Sequence, residues 1–89
     1  MFKRIFAGLV LSAAVLAASK DRDFALIIND GAVDVYLNLG ATAVANQGIR
    51  LNANGGSYEI SREAGNLFLG AINGITATGT ATALVTQGT

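Results

Sequence analysis

Chemistry in a protein needs groups that can hold a proton, a metal or a new bond, and this chain offers few. It contains no histidine and no cysteine, which removes the usual general base, the commonest metal ligand and any thiolate. What remains is oxygen. Asp21 and Asp23 in Lys20-Asp21-Arg22-Asp23, followed by Asp30 and Asp34, could offer carboxylates to Ca²⁺. A dedicated calcium loop alternates several ligands around a fixed glycine. These aspartates lack that pattern, so charges solvated in turns are the plainer reading. Glu59 and Glu63, four positions apart, could be imagined as paired carboxylates for hydrolysis, but strand alternation turns Glu59 outward and nothing in the sequence supplies a cleft. Asn54-Gly55-Gly56 with Ser57 resembles a phosphate-cradling nest loosely, without the following helix and lysine. A tight turn explains it more simply. The serines and threonines have no base beside them, so nucleophilic catalysis has no support. Arg22 is expected to pair with a local acid or a backbone carbonyl, serving its turn. The residues thus point to no enzyme, no metal and no cofactor.

The elements that would carry these residues are short. From residue 24 onward, apolar runs are separated by turn residues about every 8–12 positions, the spacing of an all-β sandwich or barrel. "FALII" (24–28) is continuous and β-branched, as expected of a strand buried on both faces. Asp30-Gly31 is a tight-hairpin signal. "VDVYLNL" (33–39) alternates, with Val33, Val35, Leu37 and Leu39 on one side and Asp34, Tyr36 and Asn38 on the other. Gly40 ends it, and residues 41–47 form a small-residue connection. "GIRLNANGGSYEI" (48–60) reads as two half-strands around a turn at Asn54, Gly55 and Gly56, with Arg50 and Glu59 outward. Residues 61–66 are a polar loop or a single helical turn. "LFLGAI" (67–72), a turn at Asn73-Gly74, "ITA" (75–77), a turn at Gly79 and "TATALVT" (80–86) complete the set. Thr76, Thr78, Thr80, Thr82 and Thr86 suit exposed strand positions. The fold class is all-β: one small β-sandwich or jelly-roll-like barrel of about seven or eight short antiparallel strands.

Composition bounds what such a module does. The chain has 89 residues, 52% hydrophobic and 13% charged, with formal net charge +0. A chain this short buries only about 60–65% of its unfolded surface, so self-association would help it. Its scattered cations give no footprint for nucleic acid. With no proline and eleven glycines, Gly, Asn and Asp must make the turns. Tyr36, outward on a clean strand, and Phe68, in the glycine-flanked "LFLGAI", are candidate interface anchors, since aromatics are enriched at interface cores. The competing reading is that each covers its own sheet.

The first residues admit two readings. Lys3 and Arg4 precede an apolar run over 5–18, with small-residue ends at Val15-Leu16-Ala17 or Ala17-Ala18-Ser19, the pattern of an export signal. The run is too short to anchor in a membrane. Alternatively "GLVLSAAVLAAS" ends in a genuine strand and "KDRD" turns the chain into "FALII". The expected organisation is a signal-peptide-like apolar arm over 1–14 and a single β-sandwich domain over 15–89.

"DRDFALIIND", "VYLNLG", "GIRLNANGGSYEI" and "NLFLGAINGITATGTATALVTQGT" together resemble a group of small tailed-bacteriophage structural proteins. In that group an Asp-Arg or Asn-Arg turn leads an apolar strand ending in Asn, and a Gly-Ile-Arg-Leu strand precedes a Gly-Gly-Ser-Tyr-Glu turn. The likeness covers roughly residues 15–89, and it favours reading residues 15–18 as structure. It implies a non-enzymatic virion protein, a capsid decoration, cement or head-fibre-like module bound to a major capsid or head protein. It would be a homotrimer or other homo-oligomer by analogy with the threefold positions of shells. The alternative is a secreted or periplasmic module that loses its signal peptide and binds a carbohydrate or peptide. A self-assembling tail component is a third possibility.

Overall fold

Alternation of apolar and polar residues builds eight strands in the computed structural model, which describes residues 2–7, 13–79 and 81–88, with residues 2–7 and 13 as backbone. They are β1 (Phe2–Ala7), β2 (Ala13–Leu16), β3 (Phe24–Asn29), β4 (Val35–Leu39), β5 (Ile49–Leu51), β6 (Ser57–Ser61), β7 (Ile72–Thr76) and β8 (Thr82–Gly88). One antiparallel sheet has the order β1-β8-β3-β6 and the other β2-β7-β4-β5. We call them the first and second sheets.

The pairing follows a rule. β1 pairs β8, β2 pairs β7, β3 pairs β6 and β4 pairs β5, and the additional ladders β3–β8 and β4–β7 join these four pairs into two sheets. A long double-stranded ribbon rolled over on itself gives this pattern, which is the jelly roll. Six of the seven connections therefore cross between the sheets, and only β4 and β5 form a hairpin.

The core lies between the layers. Ala25, Ile27, Ile60, Ala83 and Val85 enter it from the first sheet, and Val15, Leu16, Val35, Leu37, Leu51 and Ile72 from the second. At about 1.5–3 kcal/mol for each large aliphatic side chain, this burial is the main force opposing chain entropy. β3 shows how the sequence reading needs correction. "FALII" alternates, with Ala25, Ile27 and Asn29 buried and Phe24, Leu26 and Ile28 half-buried. It is covered on one face, because the described residues form two layers.

The turn readings are corrected in the same way. Asp30-Gly31 carries the chain from β3 in the first sheet to β4 in the second, so it makes no hairpin; Gly31 lies against Ala81. Asn54, Gly55 and Gly56 do form a turn, but it too crosses between sheets, with positive φ at Asn54 (62°) and Gly55 (117°). Gly40 closes β4 and Gly79 lies in the β7–β8 turn, both with positive φ, as expected of them. "LFLGAI" is a loop up to Ile72, not a strand. Thr76 is buried rather than exposed, because its register opposite Val35 faces the core, and its hydroxyl donates to the Gly79 carbonyl at 2.8 Å. Thr80 lies outside the described residues.

Asn73-Gly74 is the clearest reversal: it lies inside β7, not at a turn. Asn73 points outward and donates to the Ala41 carbonyl at 2.6 Å. Gly74 is buried, and a Cβ there would approach Val15 Cγ2 to 2.7 Å and Leu37 Cδ2 to 3.3 Å. Its backbone is ordinary strand, so on conformational grounds alone Gly74→Ala would stabilise. Packing reverses the sign. We expect Gly74→Ala to lower stability by about 1–3 kcal/mol, as overpacked cores do, read as a lower urea midpoint at unchanged m. A raised midpoint would show that Val15 and Leu37, its neighbours in the same sheet, can move aside freely.

Candidate functional site

Four arrangements bear on function: a buried polar pair of hubs, an acidic groove, and the two outward sheet faces. The hubs hold the loops around β3 together. Arg22 and Asn29 are both wholly buried, at 0% exposure. Arg22 donates from Nη2 to Ala17 O (2.6 Å), from Nη1 to Phe68 O (2.5 Å) and Gly70 O (3.2 Å), and from Nε to Gln87 Oε1 (3.0 Å). Every acceptor is a neutral carbonyl. The expected backbone-carbonyl partner is found, and the local acids take no part. Burial pulls the guanidinium below its ordinary value through desolvation, and the planar fork compensates by reaching three chain segments at once. Asn29 does the same at the other end of β3. Its Nδ2 donates to Val33 O, Leu51 O and Asn52 O, and its Oδ1 accepts from Gly31 N. The sequence reading missed Asn29. Its signal was the spacing of Ala25, Ile27 and Asn29 along one strand face, which puts an amide on the buried side.

The aspartates that invited a cation have separate tasks. Asp23 accepts from Arg62 Nε at 2.7 Å, an exposed ion pair of the kind worth about 0–1 kcal/mol. Asp34 Oδ1 accepts from Ala53 N, while Asp21 and Asp30 are exposed. Among the described residues no three acidic groups gather to hold a metal. The nest reading of Asn54-Gly55-Gly56 is overturned. Those N–H groups donate to Gly31 O, Asn29 O and Asn52 O respectively, so none is aimed at a ligand.

Glu59 and Glu63 do come together, lining one open groove of about 400 Å³ with Asp23, Phe24, Ser61 and Arg62. Ser61 is engaged there as a turn former, its Oγ accepting from Ala64 N. Asn66 reaches beside it, accepting from Ser61 N and donating to Glu59 O. This amide occupies two outward backbone groups of edge strand β6, Ser61 N and Glu59 O, a local protection against adding another strand.

The second sheet's outward face is polar and held by the chain itself. Tyr36 stands beside Arg50 and Ile75 in register, and Asn38 beside Asn73. The β4–β5 loop is tied to this face: Tyr36 OH donates to Asn46 Oδ1, Asn38 to Thr42 O and Asn73 to Ala41 O. Tyr36 also lines a smaller open groove with Asp34 and Thr78. Phe68, the other aromatic singled out, is half-buried, packs on the core, and lays its ring tip against Gly40 and Gly70.

The first sheet's outward face differs. Phe24, Leu26, Ile28 and Leu84 are half-buried on it and belong to no part of the core packing. The Phe24 ring lies across Gly88, its opposite number on β8. Antiparallel sheets with a solvated face ordinarily alternate polar residues outward; here β3 places three apolar ones there.

The fold and these faces define a small two-layer jelly roll with one self-covered and one apolar outer face. Compared with known proteins, the chain matches no family model, no curated protein and no solved structure.

Proposed function

We propose that this chain is a non-enzymatic structural module that works by contact and in multiple copies, as a decoration or cement protein on the head shell of a tailed phage. The observation that carries the contact reading is the difference between the two outward faces. One is polar and tied down by the chain's own loop, while the other presents Phe24, Leu26, Ile28 and Leu84. These four are half-buried rather than exposed, and contiguous apolar patches that stay partly open to solvent mark interaction surfaces. The phage setting comes from the resemblance of residues 15–89, and the topology adds an analogy, since viral capsid proteins use double-sheet jelly rolls. Lectins share that architecture, so the analogy is one of fold alone.

The test is the size of the native particle. Light scattering over a range of protein concentrations is expected to give a multimer. The double variant Leu26→Lys, Ile28→Lys, altered only on the outward face, should run as a folded monomer with an unchanged circular dichroism spectrum. A wild-type chain that stays monomeric throughout overturns the contact reading.

A further inference from the structure

We infer that Asn54-Gly55 is a self-modifying site, where the folded chain deamidates in water and turns part of its own main chain into isoaspartate. The chain has two Asn-Gly pairs, Asn54-Gly55 and Asn73-Gly74. Glycine matters here because no Cβ shields the amide nitrogen that follows the asparagine. That nitrogen gives its proton to solvent base and bonds to the asparagine Cγ. The bond from Cγ to the carboxamide nitrogen breaks, ammonia leaves, and a cyclic imide remains. Water then adds to either imide carbonyl. Opening at Cγ gives aspartate; opening at the main-chain carbonyl gives isoaspartate, in which the chain runs on through Cβ and Cγ. No reactant besides water is consumed.

The fold treats the two pairs differently. Asn54 and Gly55 are both exposed in the turn between β5 and β6. The Asn54 carboxamide takes no hydrogen bond among the described residues, and nothing stands within 4 Å of where a Cβ on Gly55 would be. One bond holds the attacking nitrogen: Gly55 N donates to Asn29 O at 2.7 Å. Ring closure gives up that bond. Asn73-Gly74 lies inside β7, between β2 and β4. The Asn73 carboxamide donates to Ala41 O, and Gly74 is buried against Val15 and Leu37. An imide there requires the strand to leave both ladders, an opening that approaches global unfolding. The two products also differ. Aspartate adds a negative charge at neutral pH and keeps the turn, since Asn and Asp both accept the positive φ of 62° found here. Isoaspartate inserts a methylene ahead of Gly55, which draws the N–H groups of Gly55 and Gly56 away from Asn29 O and Asn52 O. The turn that joins the sheets therefore loosens with age.

Peptide mapping of the full chain, incubated at mildly alkaline pH in heavy-oxygen water, tests it, because every hydrolysed imide carries the label. In the folded protein, label is expected at Asn54, at a rate within about tenfold of the urea-unfolded chain, since one net hydrogen bond is worth no more than about tenfold. Asn73 should take label only when the chain is unfolded. Asn54→Gly, which accepts the positive φ, should lose the labelled peptide and keep the fold. Aged wild type should have a lower urea midpoint than Asn54→Asp, which carries the charge without the added methylene. Equal labelling of Asn54 and Asn73 in the folded protein, or labelling of Asn54 only after unfolding, overturns the inference. An aged midpoint equal to that of Asn54→Asp overturns the isoaspartate part of it.

Discussion

Arg22→Met is expected to remove about 3–5 kcal/mol of stability, three buried backbone carbonyls each losing a donor at the low end of about 1–3 kcal/mol. A domain of 89 residues has about 4–13 kcal/mol in all, so the variant forfeits a large share of its stability. What stays behind in the core sets the cost. Replacing both members of a buried ion pair by apolar groups is often harmless, but here the carbonyls of Ala17, Phe68 and Gly70 are backbone and no substitution removes them. Each loses its donor, at about 1–3 kcal/mol where it stays dry. Arg22→Lys should recover only part of the loss, because one ammonium lacks the fork that spans three segments. Urea unfolding followed by circular dichroism decides it, and a methionine variant within 1 kcal/mol of wild type, on the order of a single net hydrogen bond, would show the guanidinium to be ornamental.

The second large effect concerns the apolar start. A chain beginning at Lys20 is expected not to fold. It lacks β1 and β2, and with them Val15 and Leu16, both at 0% exposure. Their burial alone contributes about 3–6 kcal/mol. The loss also bares β8 and β7 as edges, which invites aggregation. The expected readout is the absence of a cooperative unfolding transition, together with dye binding typical of exposed apolar surface. A shortened chain that unfolds cooperatively near the full-length midpoint would make the secreted-module alternative the better reading, since that alternative needs residues 20–89 to stand alone.

Much of the fold was legible locally. Residues 33–39 alternate, and the structure buries Val35 and Leu37 while turning Tyr36 and Asn38 outward; Arg50 and Glu59 are exposed where alternation puts them. What stayed hidden depends on distant chain. Asp30-Gly31 carries a hairpin signal, yet its following strand belongs to another sheet, a choice made by the β3–β8 and β4–β7 ladders. Asn73-Gly74 reads as a turn until Val15 and Leu37 crowd the position. Arg22, flanked by two aspartates, looks solvated; the carbonyls that bury it stand as far as 48 residues along the chain, and its amide partner 65. The apolar outward face was visible as "FALII", and its missing second cover is what two layers alone could not reveal.

The ladder between β1 and β8 joins residues 2–7 to 82–87. Residues 2–87 must therefore all have left the ribosome before this ladder can close. Chains dominated by such distant pairings fold in milliseconds to seconds, slower than helical domains of their size. In that interval the unclosed strands are exposed to other newly made copies, so the rate of synthesis and the availability of chaperones govern how much protein reaches its finished form.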